Sequence, residues 1–365
     1  MRRWLLWLMM MAVATPVMAA PGLRLHLERP PVPVEPDSLT VAFTGDTLIH
    51  MPISRVASTH GSPYDFAPLF DPVRPFIAGA DLAICHLEVP LSPTSSDLSG
   101  FPLFSAPREV AYALAATGFD GCSTASNHSL DRGVGGILDT MDILEEAGLQ
   151  QAGMARTEQE SWDATVYEVA GARLAHISAT YSLNGLRLPE DRSFMTQLID
   201  VDQILRYAQR AKGAGADLVV VSLHCCVEYR TMPTSGQVED SRALIESPFV
   251  DLVVSHHAHV VEPIERVGDE FILYGLGNFI SAQFFLPNTS DGVIAMVTAR
   301  SSDSGWRFEE VGVIPTFVSR GSYLVQPAPP GSASFERTMS VMNMMGAEIE
   351  AHTWQVVSRP KWKVE

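Results

Sequence analysis

The sequence predicts an α/β fold in which a β-sheet is covered by helices. Three observations lead to this prediction. The chain has 365 residues, 46% hydrophobic and 18% charged, which supports a sizeable core and excludes a disordered or coiled-coil protein. Short, continuous apolar runs recur along the chain, as expected for strands buried on both faces. Amphipathic stretches with helical spacing separate several of these runs.

The first twenty residues have the three parts of a secretory signal peptide. Two arginines open the segment, residues 4–14 are apolar, and Ala19 ends a stretch that carries the small residues a signal peptidase requires. We predict that residues 1–20 are a signal peptide cleaved after Ala19, and that the protein is exported to the periplasm or the cell exterior. The alternative is an uncleaved N-terminal membrane anchor, for which the apolar run is short. Residues 21–38 follow as a proline-rich, extended leader.

Eight apolar, β-prone runs are predicted as strands. They are Leu39–Thr44, Asp81–His86, Gly121–Thr124, Val166–Val169, Arg173–Ala179, Asp217–His224, Asp251–His256 and Glu270–Tyr274. Apolar residues at helical spacing predict helices around 137–147 and 201–211. We assign residues 39–326 to one catalytic-type domain. Residues 327–365, which begin with a stretch rich in proline, glycine and serine, are interpreted as a C-terminal extension.

The net charge and the cysteine content limit the classes of function that fit this sequence. The formal net charge of −17 argues against nucleic-acid binding, because a phosphate backbone selects a basic surface. An acidic protein can still bind an anionic substrate where cations lie in the site. Four cysteines are too few and too far apart for a disulfide framework. We interpret Cys85 and Cys122 as buried thiols, bridged only if their strands are neighbours, and Cys225-Cys226 as candidate neighbours of a metal.

Polar side chains follow five predicted strands at the point where each strand ends. They are Asp46, Glu88, Asn127, His224, His257 and His259, with His50, His86 and His128 close by. Because ligands of open α/β sheets bind outside the carboxyl ends of the strands, we expect these side chains to meet at one edge. Imidazole combined with carboxylate favours Zn²⁺, Mn²⁺ or Fe over Ca²⁺. Six ligands are too many for one tetrahedral zinc and suit two ions about 3.5–4 Å apart.

The segments that contain these residues follow one another in a pattern known from a protein family. They are Gly45-Asp46, His86-Leu87-Glu88-Val89-Pro90, Ser126-Asn127-His128-Ser129-Leu130-Asp131-Arg132-Gly133, His224, His256-His257-Ala258-His259 and Tyr274-Gly275-Leu276-Gly277-Asn278-Phe279. The pattern resembles the capsule-synthesis CapA family, which is associated with poly-γ-glutamate capsules and is similar to calcineurin-like metallophosphoesterases. The likeness covers roughly residues 39–297. It implies a calcineurin-like sandwich of β-sheets flanked by helices, with a metal site at the C-terminal ends of strands.

The resemblance also implies roles for the site residues. The metal ligands would be Asp46, Glu88, Asn127, His224, His257 and His259. Glu88 would bridge two ions, and His128 would be the general acid or oxyanion stabiliser, oriented by Asp131. The residues lining the substrate would be His50, His86, Glu228 and Asn278. The D-x-H motif that opens the phosphoesterase site is absent, so that His50 either replaces its histidine or points to solvent; Glu228 either contacts substrate or starts a helix.

We therefore expect an exported, metal-dependent hydrolase that acts on, or handles, an anionic peptide-like polymer. It would bind one or two divalent ions (Mn, Zn or Fe), and membrane components of capsule synthesis are candidate partners. The expected chemistry is hydrolysis of an amide, ester or phosphoester. Two alternatives remain: a metal-dependent phosphoesterase of the calcineurin-like type, and a non-catalytic polymer-handling component that keeps the metal shell for structure.

Overall fold

The structure, a computed structural model, describes residues 37–61 and 63–352. The predicted signal peptide (residues 1–20) and nearly all of the predicted leader (residues 21–38) lie outside the described residues, as do residues 353–365 of the predicted extension. In the described part of the chain, no helix combines the length and the apolar character needed to cross a bilayer.

Strands and helices alternate over most of the described chain. The strands are β1 (Ser38–Thr47), β2 (Leu82–Leu87), β3 (Leu91–Ser92), β4 (Ala106–Pro107), β5 (Gly121–Ser123), β6 (Gln150–Ala152), β7 (Thr165–Val169), β8 (Ala172–Thr180), β9 (Leu218–His224), β10 (Leu252–His256), β11 (Ile264–Val267), β12 (Glu270–Leu273), β13 (Asn278–Ile280), β14 (Asp291–Ser302), β15 (Gly305–Val318), β16 (Val325–Pro327) and β17 (Glu350–Ala351). The α-helices are α1 (Met51–His60), α2 (Ala67–Phe70), α3 (Arg74–Ile77), α4 (Glu109–Thr117), α5 (Gly133–Glu146), α6 (Glu158–Ser161), α7 (Val201–Gly213), α8 (Ser235–Ile245) and α9 (Ala333–Met342). Two 3₁₀ turns cover Glu190–Met195 and Pro287–Ser290.

The strands form two main sheets. The larger sheet has the order β16-β15-β14-β1-β2-β5-β6, with β13 beside β1 and β17 beside β15. The smaller sheet has the order β11-β12-β10-β9-β8-β7. Strands β1, β2, β5 and β6 run parallel to one another, and so do β8, β9, β10 and β12. Because parallel strands end at the same edge, the polar residues that follow them are brought to one edge of each sheet.

The two sheets pack face to face and helices cover their outer faces, which gives a sandwich of four layers. In β1, Phe43 packs in the core between the two sheets, whereas Ala42 packs with the helices on the outer face. In β9, Val220 faces the same central core and Val219 packs against α7 and α8. Successive residues of a strand point to opposite faces, so that a continuous apolar run is buried on both sides. The predicted α/β class, with β-sheets flanked by helices, is confirmed.

All eight predicted strands are present, as β1, β2, β5, β7, β8, β9, β10 and β12, and the two predicted helices are α5 and α7. The sequence analysis did not predict the long hairpin of β14 and β15, which pairs with β1 and extends the larger sheet. Residues 327–352, at the start of the predicted extension, pack onto the larger sheet and into the core. There β17 pairs with β15, and Met342 of α9 and Ile349 are buried in the core between the sheets.

A disulfide joins the two strands that precede the polar cluster. Cys85 of β2 and Cys122 of β5 are register partners with Cα atoms 4.3 Å apart, and their sulfurs are bonded. The interpretation of these residues as buried thiols is therefore wrong, because their strands are neighbours. Cys225 and Cys226 are also disulfide-bonded to each other, so neither offers a thiolate to a metal.

A close backbone approach fixes the end of β1. The Asp46 amide donates a hydrogen bond of 2.9 Å to the Gly277 carbonyl. A Cβ atom added at Gly45 would lie 2.0 Å from that carbonyl oxygen and 2.8 Å from the carbonyl oxygen of Leu276. Only glycine permits this approach, which brings Asp46 next to β13.

We predict that Gly45→Ala lowers the free energy of unfolding by about 1–3 kcal/mol, because the new methyl group overlaps backbone atoms that belong to a paired strand. Urea denaturation measures the change. Gly135→Ala is the matched control: Gly135 is exposed in α5, and nothing lies within 4 Å of a Cβ added there. That variant should gain up to about 1 kcal/mol from helix propensity. Equal stabilities for the two variants would contradict the prediction.

Candidate metal centre

Asp46 forms the floor of a buried polar cluster at the carboxyl edge of the strands. Its position at the end of β1 pairs it with His86 of β2 and Asn278 of β13. One carboxylate oxygen lies 2.9 Å from His259 Nδ1, and the other accepts a hydrogen bond of 3.3 Å from the His257 amide. Residues from the ends of β1 and β10, one from each sheet, therefore meet at this carboxylate.

Glu88, which follows β2, lies at the centre of the cluster. It is fully buried, and neither of its carboxylate oxygens has a hydrogen-bond partner. One ligand group joins Glu88 with Asp46 and His259, and a second joins it with His224 and His257; in each group the candidate ligand atoms lie within 4.8 Å of one another. Glu88 is thus shared by two sets of potential ligands, as a carboxylate between two ions would be.

A chain of hydrogen bonds orients His224, the last residue of β9. Its Nδ1 is 2.8 Å from His86 Nε2, and His86 Nδ1 is 2.8 Å from the hydroxyl of Ser123. The remaining ring nitrogen, Nε2, faces the Asn127 side-chain oxygen at 2.9 Å and Glu88 at 3.9 Å. Hydrogen bonding at one imidazole nitrogen fixes which nitrogen faces a metal. His224 Nε2 and Asn127 Oδ1 are therefore placed as a ligand pair.

The H-x-H segment that follows β10 has an unusual backbone conformation. His257 and His259 have φ angles of 92° and 55°, in the left-handed region that residues other than glycine rarely adopt. These dihedrals turn both buried rings into the cluster, where their centroids are 5.9 Å apart. Backbone strain of this kind is concentrated at functional sites because the surrounding structure must hold it.

His128 and Asp131 form a separate pair beside the cluster. His128 Nδ1 is 2.7 Å from an Asp131 carboxylate oxygen, which also accepts the amide hydrogen of Phe104 at 2.7 Å. The Phe104 ring meets the edge of the His128 ring, with centroids 4.7 Å apart. Asp131 therefore sets the orientation of the imidazole and directs its other nitrogen away from the carboxylate.

Burial and mutual charge set the protonation states in the cluster. Burial raises the pKa of Asp46, but His259 outweighs this effect by hydrogen bonding and charge and lowers it to about 2. Burial lowers the pKa of His259, but the Glu88 and Asp46 carboxylates raise it to about 9. Burial and then neighbouring histidines hold the pKa of His224 well below its usual range and lower that of His257 to about 3. The last two imidazoles are therefore neutral near pH 7, the form that binds metal.

The residues fit divalent ions. Burial raises the pKa of Glu88 well above its usual range, because the ionised carboxylate has no hydrogen-bond donor to replace water. Such a group is unfavourable unless a cation compensates it. His257 Nδ1 is also buried without a hydrogen-bond partner. Carboxylate, imidazole and amide oxygen donors together suit Zn²⁺, Mn²⁺ or Fe.

The structure corrects two of the residues predicted to line a substrate. His86 is fully buried and stacked against the rings of His224 and His256. It groups with Asp46 and His224, but both of its ring nitrogens are engaged by Ser123 and His224, so that it supports His224 and does not face a substrate. Asn278 is also fully buried, and its amide donates to the carbonyl groups of His259 and Thr289. It holds the backbone of a candidate ligand and does not face a substrate.

The other two predicted lining residues differ from each other. His50 is half-buried, its Nδ1 lies 3.1 Å from the Leu48 carbonyl and 3.3 Å from the Ala282 amide, and it joins no ligand group among the described residues. Glu228 is solvent-accessible and lies in a turn, so that the alternative of a helix start there is wrong; α8 begins at Ser235. Its carboxylate groups with His257 and His259.

Tyr181 and Asn184 shape the site but were not predicted from the sequence. Tyr181, directly after β8, places its ring 4.8 Å from that of His257, and the same rule that identified polar residues at strand ends identifies it. Asn184 accepts a hydrogen bond of 3.2 Å from the Asn127 amide. His256, which the sequence indicates as a supporting or structural residue because adjacent histidines rarely place both rings on one metal, has Nδ1 3.7 Å from Asp46.

The chain is similar to proteins of bacterial capsule synthesis. It is 26% identical over 308 residues to the capsule biosynthesis protein CapA of Bacillus anthracis, which covers 82% of this chain and 71% of that protein. It is 26% identical over 277 residues to the PGA biosynthesis protein CapA of Bacillus subtilis (strain 168), covering 75% of this chain and 70% of that protein. Among solved structures, the calcineurin-like phosphoesterase YfkN from Bacillus subtilis covers 83% of this chain and 97% of that chain, with 10% identity and a TM-score of 0.47.

A family match covers most of the cluster described above. The family described as "Bacterial capsule synthesis protein PGA_cap" matches residues 40–283, well over half of the chain. This range contains β1 to β13 and with them each of the candidate ligands from Asp46 to His259. The chain therefore belongs to the PGA_cap family of bacterial capsule synthesis proteins.

Proposed function

We propose that this chain is an exported, metal-dependent hydrolase of capsule or poly-γ-glutamate biosynthesis that acts on an anionic, peptide-like polymer. The observation that carries the proposal is the buried Glu88 carboxylate, which lacks hydrogen-bond partners and is shared by two sets of candidate metal ligands. Membership of the PGA_cap family and relatives named for capsule and PGA biosynthesis support the choice of polymer.

The residues of the cluster and the His128–Asp131 pair would have different roles in hydrolysis. Divalent ions bound at the cluster supply Lewis-acid activation of water and of the scissile group. Asp46, Glu88, Asn127 and the three histidines would hold the ions. His128 would transfer a proton to the leaving group as a general acid, and Asp131 keeps its ring in one orientation through the contact with Nδ1. This division fits hydrolysis of an amide or ester.

The same cluster explains how an acidic protein handles a polyanion. The net charge of −17 repels a carboxylate polymer over most of the surface. Arg132, near the His128 motif, is engaged with Asp97 in an ion pair and is not free for substrate. Bound divalent ions are then the strongest local positive charges and attract the polymer carboxylates to the site.

We predict that Asp46→Asn and His257→Ala each remove at least one equivalent of bound metal, because each takes a ligand from a different side of Glu88. Elemental analysis of the purified protein after dialysis measures metal content. The controls are Asp71→Asn and His60→Ala, which alter exposed residues of the same types away from the cluster. Unchanged metal content in both cluster variants would refute the assignment of the site.

We predict that the metal-loaded protein cleaves γ-linked glutamate oligomers and that His128→Ala lowers the rate by about 10²–10⁴-fold, with metal content retained. Release of new amino groups measures cleavage, and His60→Ala is the control. An aryl phosphate is tested in parallel, since hydrolysis of that substrate alone points to the phosphoesterase alternative. If the loaded protein cleaves neither substrate, the non-catalytic, polymer-handling role replaces the hydrolase.

We propose that residues 1–20 direct export, so the mature protein begins at Ala20. Expression in a bacterial host should place the protein outside the cytoplasm with a mass that lacks residues 1–19. Cell fractionation followed by intact-mass measurement tests this expectation. A membrane-bound product of full mass would support the N-terminal anchor instead.

A further inference from the structure

The loop that follows β9 carries a carboxylate that the two ligand sets sharing Glu88 do not include. This loop runs from Cys225 to Tyr229 and begins directly after the candidate ligand His224. Glu228 lies near its end, and its carboxylate forms a ligand group of its own with His257 and His259, with the ligand atoms within 4.8 Å of one another. One of these histidines belongs to each of the two sets that share Glu88.

Backbone contacts hold this loop against the H-x-H segment. The Cys225 amide donates a hydrogen bond of 3.3 Å to the His256 carbonyl, and the Tyr229 amide donates one of 2.7 Å to the Ala258 carbonyl. Tyr229 has a φ angle of 63°, and its hydroxyl accepts a hydrogen bond of 3.1 Å from the Gln283 side chain. The two ends of the loop are thus tied to the residues on either side of His257, so that Glu228 faces the histidines.

The two sides of the cluster differ in the number of ligands. Beside Glu88, Asn127 joins His224 and His257, which gives four candidate donors on that side. Asp46 and His259 with Glu88 give three on the other. His86 also groups with Asp46 and His224, but both of its ring nitrogens are engaged, Nδ1 with the Ser123 hydroxyl and Nε2 with His224 Nδ1. His50 does not fill the gap, since its Nδ1 faces backbone groups and it joins no ligand group in the described chain. Three protein ligands leave the coordination shell of an ion incomplete, so that a further donor can join on this side.

We propose that Glu228 is a metal ligand that completes the Asp46–His259 side of the cluster from the solvent side; this inference rests on the proposed metal-dependent function. Glu88 is buried, whereas Glu228 is solvent-accessible and groups with His257 and His259. A ligand in this position neutralises charge on the ion and leaves the buried donors in place. It also occupies the side from which a polymer carboxylate must approach, so that substrate and Glu228 compete for coordination.

The test is Zn²⁺ titration of the mature protein in competition with a fluorescent zinc chelator. Wild type should bind two ions, and Glu228→Gln should bind one of them at least about tenfold more weakly, with the other unchanged. Glu239→Gln removes the same charge from an exposed position on α8 and should match wild type. As a second readout, added Zn²⁺ should raise the Tm of Glu228→Gln less than that of wild type, while the metal-free proteins melt together.

The outcomes separate this inference from the function on which it rests. If wild type binds two ions and Glu228→Gln binds both with unchanged affinity, the inference is overturned and the proposed function stands. If wild type binds no Zn²⁺, Mn²⁺ or Fe²⁺, the proposed function fails and the inference fails with it. A selective loss of one ion in Glu228→Gln, absent in Glu239→Gln, supports the assignment.

Discussion

The burial of the Glu88 carboxylate without a hydrogen-bond donor is the constraint on which the rest of the site depends. A buried, unpartnered carboxylate costs several kcal/mol unless positive charge compensates it. The surrounding histidines are mostly held neutral by burial, and His259, the exception, lies 2.9 Å from Asp46 and 3.6 Å from Glu88. One imidazolium thus faces two carboxylates, and divalent ions held by the two ligand sets would provide the further positive charge.

The buried cluster around Glu88 requires both sheets. Asp46 and Glu88 come from the larger sheet, whereas His224 and His257 come from the smaller one, so that neither sheet alone forms the cluster. The apolar core between the sheets fixes their separation, and the close approach at Gly45 sets the depth of Asp46. Because the packed core holds the strand ends in fixed positions, it also sets the distances between the candidate ligand atoms.

The sequence predicts the strands and the candidate ligands for the same reason. Apolar runs covered on both faces are easy to recognise, and Asp46, Asn127 and His224 stand immediately after or at the end of such runs. The hairpin of β14 and β15 was not predicted, although residues 293–297 of β14 form a continuous apolar run of the same kind as the predicted strands; β15 begins with mostly exposed residues and lacks that signal in its first half. His86 shows what the sequence pattern does not predict. Its residue type and position match those of a site residue, but only its contacts with neighbouring rings show that it supports His224. The spacing of histidines along the chain does not show which imidazole faces the candidate metal site and which one lies behind it.

The residues on the buried side of the cluster differ in chemical character from those on its solvent-accessible side. The groups behind it, such as His86, Ser123 and Asn278, are buried and neutral or hydrogen-bonded, and they fix orientation. The groups in front include Tyr181 and Tyr229, whose rings lie against His257 and His259, and the Glu228 carboxylate, which groups with the same histidines. The aromatic rings contribute contact area without long-range attraction, because they carry no charge. Under the proposed function, bound divalent ions would attract an anionic polymer that the net charge of −17 otherwise repels.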